Sequence, residues 1–537
     1  MHPDSYEESM PEGMSVVQKE KGIWHTLSAG GISGGCWGIL EAVLRLTGSS
    51  NGSYDAIFWS YSFYVILGMV CGLVLWPLNY LLVRRGWSVS LRWSFFFCLL
   101  LLGFSIWAMD TWYGLILVMP MIWLGEVFLR QSPLKVIVQP KGSIAMAFVL
   151  FVLTFVFSLT TGPIPSKLSW PETFQTEKSN VLILSIEGLR VEDIHKDAPN
   201  IALLRSRSVR FEQTYSDSLE PQKAMTAMLG GQHSWLREEY LDEDFESLAE
   251  IFFRSGFHTT AVVNELDLGV HSGLDQGFER YTYLPPHAPF PFTEGARRVK
   301  VIDIFLRLWA DMGADPGRYH RSSTEVFQQL KNDMLHFEGE NWFAFAQIRE
   351  LDPPYFFESR SGFRRAEKGE EEQAYRERLR RLDGSLGSFF RWLEHREKNL
   401  IVILMSTHPP SYAQGLPRFQ VPFSMMVPHR HVQEVQEHAQ LIDIPPTLAG
   451  VIGFSPQHWN GVDLLQENHP RQGRPIYSHT PQGWSMVQFD GWRYMLDESN
   501  GEGHLYNVQR DPTLQHNLWN EEPNRRSQLQ EVLRSPP

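Results

Sequence analysis

Residues 181–190 read VLILSIEGLR, and residues 401–410 read IVILMSTHPP. Each is an apolar run of about one strand's length that opens into polar residues. An unbroken apolar run suits a strand buried on both faces of a parallel sheet, and polar groups then collect where the run ends. The first run delivers Glu187 to such an edge, and the second delivers Thr407 and His408. These three residues raise the question of a metal site.

The segments between the two runs alternate in kind. APNIALLRSRSV begins with a Pro-Asn turn and continues as a short helix, ESLAEIFFRSG is a helix ending at Gly256, and HTTAVVN is the next strand. NWFAFAQI (341–348) is a strand, EEQAYRERLRRLDGSLGSFFRWLEHRE a long amphipathic helix, and NLIVILMS a further strand. The charged stretch FFESRSGFRRAEKGEEEQ, around 356–373, reads as a solvated loop leading into that helix. Strands alternating with helices predict an α/β domain with a mainly parallel central sheet. In such sheets functional groups lie beyond the carboxyl ends of the strands, and Glu187, Asp352, Thr407 and His408 all fall there.

Upstream the character changes. Apolar stretches at roughly 23–47, 55–83, 89–109, 113–130 and 143–162 are each long enough to cross a hydrocarbon core of about 30 Å. The first follows an acidic segment, is too long for a cleaved signal peptide and is succeeded by further spans. Lys19 and Lys21 precede it, Arg84, Arg85 and Arg92 surround the second turn, and Arg130, Lys135 and Lys141 lie between the last two stretches. The alternate loops TGSSNGSYD and MDTWYG carry no Lys or Arg. That asymmetry predicts a cytoplasmic N-terminus and an external C-terminal domain. Glu41 and Arg45, four residues apart near the outer end of the first stretch, read as an interfacial pair.

The expected organisation is a cytoplasmic segment (1–22), a five-helix transmembrane bundle (23–162), a linker (163–179) and an extracytoplasmic domain (180–537). The linker is read from TGPIPSKLSWPETFQTEKSN, a Pro/Ser/Thr-rich stretch without periodicity. The chain has 537 residues, too many for one ordinary domain, and its net charge of −13 argues against a nucleic-acid partner. Cys36, Cys71 and Cys98 all fall in the apolar stretches, which leaves the external domain without disulfides or a thiol nucleophile.

NVLILSIEGLR followed by APNIALLRSRSVRFEQTYS resembles the opening of the sulfatase and alkaline-phosphatase-like superfamily. SLAEIFFRSGFHTTAVVNELDLG with GLDQGFERY resembles its next helix–strand unit, and AYRERLRRLDGSLGSFFRWLE its mid-domain helix. AQLIDIPPTLAGVIG and HLYNVQRDPTLQHNLW resemble its two C-terminal signatures. Five spans ahead of such a domain resemble lipoteichoic acid synthases and lipid A phosphoethanolamine transferases. They also resemble a related inner-membrane regulator of lipopolysaccharide that keeps the domain without its catalysis. The resemblance implies a bacterial inner-membrane protein with a periplasmic or otherwise extracytoplasmic domain.

It also implies a site. Carboxylates and imidazoles hold one or two divalent metals there, and a hydroxyl or oxidised cysteine attacks from a helix N-terminus. Glu187 occupies the first carboxylate position, where the transferases have Glu; the alternative is a surface Glu at a strand end. His408 falls in the family's Asp-His pair, but Thr407 replaces the acid, and a neutral hydroxyl is a poor ligand for a divalent ion. The nucleophile motif, Cys/Ser/Thr-x-Pro-x-Arg, maps onto SDSLEPQKAMTAMLGGQ (216–232). Anchored on Pro221, it places Leu219 at the nucleophile and Lys223 at the arginine; anchored on Gly231, it places Glu220 or Pro221 there. Ser218 is the nearest hydroxyl, and its alternative role is an N-cap for the helix beginning near Pro221. ELDPPYFF (350–357) keeps Asp352 but lacks the family's following His. His429, His431 and His438 read as surface residues, two of them in a basic turn before a helix.

Loss of the nucleophile, a metal carboxylate and the substrate histidine together predicts a sulfatase-like pseudoenzyme. Such a protein sits among membrane lipids and binds an anionic lipid or glycan, or an envelope protein. The alternative is an active, divergent hydrolase or transferase of phosphate, phosphoethanolamine or sulfate groups. In it Glu187 and His408 would hold one zinc, manganese or calcium ion, Glu220 would supply the missing carboxylate and Ser218 would attack. A transporter is disfavoured, because five spans with almost no buried charge offer no ion path.

Overall fold

The run NVLILSI forms strand β1, Asn180–Ile186, and every residue of it is buried, as a strand covered on both faces must be. The computed structural model describes residues 179–534, apart from 234–245, 410–417, 467–473 and gaps of one to three residues, with scattered positions between 62 and 81. The five apolar stretches expected to span the membrane lie outside the described residues, those few positions excepted. Among the described residues no helix is long and apolar enough to cross a membrane. The C-terminal body, Ser166–Pro289 with Trp309–Pro537, is one compact unit, and residues Phe290–Leu308 group with the N-terminal one.

Around β1 the chain adds β2 (Val209–Tyr215), β3 (His258–Val263), β4 (Arg280–Tyr283), β5 (Trp342–Ile348), β8 (Leu400–Met405), β9 (Phe423–Met426) and β10 (Glu434–Gln440). They form one sheet in the order β10-β2-β9-β8-β1-β5-β3-β4. β9 is antiparallel to both of its neighbours, and every other pairing in this sheet is parallel. The predicted mainly parallel α/β domain is therefore present.

Alternation along each strand feeds two cores. Val181 and Ile183 of β1, Phe343 and Phe345 of β5, and Ile401 and Ile403 of β8 pack on one face. Leu182, Leu184, Trp342, Ala344, Val402 and Leu404 pack on the other. The second face is covered by helices α1 (Val191–Asp197), α2 (Pro199–Ser206), the long α7 (Glu371–Glu394) and α6 (Ser323–His336). The first face is covered by α3 (Pro221–Gly230), α4 (Leu248–Arg254) and α8 (Ile444–Ile452), with α5 (Lys300–Asp311) and α9 (Pro523–Arg534) completing the principal helices.

Two sequence signatures acquire structural reasons. α2 starts at Ala198, which has no side chain to cap it. Asp383 of α7 replaces the cap: its carboxylate accepts from Asn200 N (3.1 Å), Ile201 N (2.8 Å) and Asn200 Nδ2 (2.7 Å). Gly387, one turn further on, makes the approach possible, since a Cβ there would lie 2.4 Å from Asn200 Oδ1. Asp443, in the AQLIDIPP signature, is fully buried and paired with Arg474 through two contacts of 2.6 Å.

The segment expected to be a loop before α7 is instead a hairpin. β6 (Phe356–Ser359) and β7 (Gly362–Arg365) pair antiparallel, and Phe356 is buried. Its charges hid the pattern: Arg364 and Glu370 form an ion pair at 2.7 Å outside the hairpin. A second, antiparallel sheet follows: β11 (Ile476–His479), β12 (Trp484–Phe489), β13 (Trp492–Asp497) and β14 (Gly503–Asn507).

Candidate functional site

Four neighbouring strands, β8, β1, β5 and β3, run the same way and discharge polar residues at one edge. Glu187 follows β1; Asn264 and Glu265 follow β3; Arg349 and Asp352 follow β5; Thr407 and His408 follow β8. Backbone bonds hold these ends together: Glu187 N donates to Ile348 O at 2.9 Å and Gly188 N to His408 O at 3.2 Å. Gly188 adopts a left-handed φ of +74°, and a Cβ on it would sit 3.1 Å from Leu351 O and 3.3 Å from Asp352 Oδ1. Only glycine fits there at low cost.

Glu187 is completely buried, which overturns its reading as a surface residue. Its Oε1 accepts from Ser185 Oγ at 2.5 Å. Its Oε2 accepts from Thr407 N at 3.0 Å and also from the Thr407 hydroxyl. The residue that replaces the family's acid is thus a donor to the neighbouring acid.

His408 stands between two carboxylates. Its Nδ1 faces Pro409 O at 3.0 Å, and its Nε2 lies 3.6 Å from Glu187 Oε2 and 3.8 Å from Asp352 Oδ2. Burial alone lowers the imidazole, but Asp352 and Glu187 together outweigh it and hold His408 above its ordinary range. Arg349 comes next: Nε donates to Asp352 Oδ2 at 3.1 Å and NH1 meets Glu265 Oε1 at 2.9 Å. Burial also lowers Arg349, yet Glu265 and Asp352 leave it above its usual value. Burial pushes the Glu265 carboxyl up to about 7 against the pull of Arg349. Gln347 Nε2 donates to Glu265 Oε2 at 3.1 Å and fixes that side chain. The result is a chain of alternating sign: Glu187, His408, Asp352, Arg349, Glu265.

The residues fit a divalent ion poorly. Among the described residues, no group of three or more His, Cys, Asp or Glu side chains is placed to hold a metal ion. Both Glu187 oxygens are occupied by protein donors, and Asp352 Oδ2 is already paired with a guanidinium. Among the described residues of this site, Asp352 Oδ1 is a buried carboxylate oxygen without a hydrogen-bond partner.

The nucleophile loop makes its contacts with other elements. Ser218 is buried and accepts from Glu220 N at 3.1 Å, so it shapes the turn before α3. The N-cap of α3 is Glu220, not Ser218, and it gives no side-chain cap bond. Glu220 Oε2 pairs instead with Lys223 Nζ at 3.0 Å. Leu219, at the nucleophile position of one register, packs against Tyr215, Phe419, Ile476, Met486 and Met495. Strand β11 pins the loop: His479 N donates to Asp217 O at 2.9 Å, and Ser478 Oγ to Ser216 O at 2.5 Å. Among the described residues no hydrogen bond or ion pair joins Ser218, Glu220 or Lys223 to Glu187 or His408.

His429 and His431 are in the expected turn, but a strand follows it, and His438 on β10 is partly buried with Nε2 2.9 Å from Gln488 Nε2. Sequence reading missed Arg349, Glu265 and Gln347. Its own rule pointed to them, because VVNE and QIRE are strand ends of the same kind as LSIE.

A family model described as Sulfatase matches residues 179–454, more than half of the 537-residue chain. Among solved structures, the fold is similar to the phosphonate monoester hydrolase of Agrobacterium radiobacter, at 16% identity and TM-score 0.50, covering 66% of this chain and 95% of that one. It is similar to the protein titled Ps i-CgsB, at 14% identity and TM-score 0.51, covering 66% and 93%. It is also similar to a Bacteroides thetaiotaomicron protein described with the metabolism of multiple glycosaminoglycans, at 14% identity and TM-score 0.50, covering 67% and 99%. A search of curated proteins finds no match. Members of the superfamily are generally metal-dependent.

Proposed function

Because the chain belongs to the sulfatase family, we propose that it is a membrane-anchored, sulfatase-like protein of the bacterial cell envelope whose external domain binds a ligand rather than turning over an ester. The observation that carries this reading is the pair Thr407–Glu187. A hydroxyl and a backbone N–H from position 407 consume the carboxylate that the family's chemistry reserves for a metal. The family mechanism needs an electrophile-activating cation and a nucleophile at one place. Here Leu219 packs half-buried against an apolar cluster, and Ser218 is committed to a turn.

The five apolar stretches and their flanking Lys and Arg residues support an anchored protein with its N-terminus in the cytoplasm and this domain outside. The ligand in this reading is an anionic lipid or glycan of the envelope, held beside the membrane surface by the inherited fold. An active, divergent esterase has one observation in its favour, the unpartnered Asp352 Oδ1.

The test is genetic. Glu187, Ser218 and His408 are replaced together by Ala in the full-length protein, and the cells are compared with a deletion strain. Retained function with normal accumulation is the expected result. A deletion phenotype with normal accumulation sinks the non-catalytic reading.

A further inference from the structure

We propose that Arg349 is the resident cation of this site, standing in for a divalent ion. The geometry puts one guanidinium between carboxylates from two different strand ends, 2.9 Å from Glu265 and 3.1 Å from Asp352. Both acids are nearly buried, at 7% and 6% side-chain exposure, while Arg349 is 32% exposed and reaches in from the rim. Buried carboxylates without a counter-charge are costly, so the fold must supply cations from somewhere. Here it supplies two, Arg349 and His408, and they alternate with three acids.

The arrangement explains how the edge of the sheet tolerates three acids without metal. It also explains why a divalent ion is excluded: any ion bound to Asp352 would share that carboxylate with a fixed guanidinium and be repelled by it. His408 nevertheless stands from each neighbouring carboxylate at close to the spacing of two donors on one ion. His408 Nε2 lies 3.6 Å from Glu187 Oε2 and 3.8 Å from Asp352 Oδ2. Donors on one tetrahedral zinc, at about 2.1 Å from the ion, stand about 3.4 Å apart. Asp352 Oδ1 is buried with a free lone pair. Removing Arg349 therefore frees the Asp352 and Glu265 carboxylates beside His408, while Glu187 stays bound to Ser185 and Thr407.

The experiment uses the full-length protein in detergent, stripped with chelator, titrated with zinc chloride or manganese chloride, desalted and assayed for bound metal and thermal unfolding. Wild-type protein is expected to retain well under one ion per chain, with a melting temperature unmoved by zinc or chelator. Arg349→Met is expected to retain about one zinc per chain and to melt higher with zinc than without. Should Arg349→Met fail to fold, Arg349→Met/Glu265→Gln removes one charge of each sign and is expected to take zinc through Asp352 and His408. The proposal is overturned by a wild-type chain that holds one ion stoichiometrically, or by a folded Arg349 variant that takes none. It deepens the non-catalytic reading and fails separately from it, since the triple-alanine strain reports on cellular function and not on metal content.

Discussion

Thr407 and Glu187, which stand 220 residues apart in the chain, share one carboxylate oxygen: Glu187 Oε2 accepts both the backbone N–H and the hydroxyl of Thr407. The family's acid at position 407 would face that oxygen with a second negative charge, which the threonine avoids.

Thr407→Asp is expected to destabilise the metal-free protein by about 2–4 kcal/mol, because two carboxylates forced together in a buried site cannot both ionise cheaply. Thr407→Val removes only the hydroxyl donor and costs about 1–2 kcal/mol. Urea unfolding at neutral pH separates the two. Equal losses would show that charge at position 407 is irrelevant.

Asp383→Ala strips the borrowed cap from α2 and leaves the N–H groups of Asn200 and Ile201 without their acceptor. The expected loss is about 1–3 kcal/mol. Gly387→Ala is expected to cost a similar amount by pushing Asn200 off Asp383, given the 2.4 Å approach. Unfolding of the double variant tests whether the two act through one contact: losses that add fully would separate them.

Arg474→Ala leaves Asp443 buried without its guanidinium, although Gln440 N and Val462 N still donate to the carboxylate at 2.8 and 2.9 Å. Stability is expected to fall by about 3 kcal/mol or more. Arg474→Met/Asp443→Leu should recover part of that loss, and thermal melts of the single and double variants decide it.

The pH dependence has a definite sign. Glu265 is raised from 4.5 to about 7 and His408 is raised above 6.5, so the folded protein binds more protons than the unfolded chain between these values. Stability from these groups is present at low pH and is lost as pH rises, from about 5 through 7 for Glu265 and upward from 6.5 for His408. Melting temperatures of wild type should therefore fall between pH 6 and 8 more steeply than those of His408→Gln/Glu265→Gln. A parallel pair of curves would remove the two groups from the account.

The strands and long helix are legible because their signals are strong: VLILSI, WFAFAQI and LIVILM are near-continuous apolar runs that end within a residue or so of the strands, and the long helix is amphipathic. The hairpin of 356–365 was not, because four-residue strands on the surface carry too few buried positions to show alternation. At the site, Glu187, Asp352 and His408 were found through the strand-end rule, and they do converge. Arg349 lies outside the motifs that carry the family resemblance, and Glu265 is a strand-end residue within one of them. A cation that replaces a ligand set leaves no motif of its own. The burial of Ser218 and the pinning of its loop depend on β11, some 260 residues away in sequence, which local patterns cannot report.

Leu219 has a consequence for how such a chain changes over time. Its half-buried side chain packs against an apolar cluster shared with the second sheet. Leu219→Ser would strip that half-buried contact, a loss of about 1 kcal/mol. Regaining a nucleophile by single steps thus passes through a less stable intermediate, and Thr407→Asp would add a second such step. Selection for turnover would have to accept both losses before any activity repaid them, so the path back is steep at the start and the present state is effectively a ratchet.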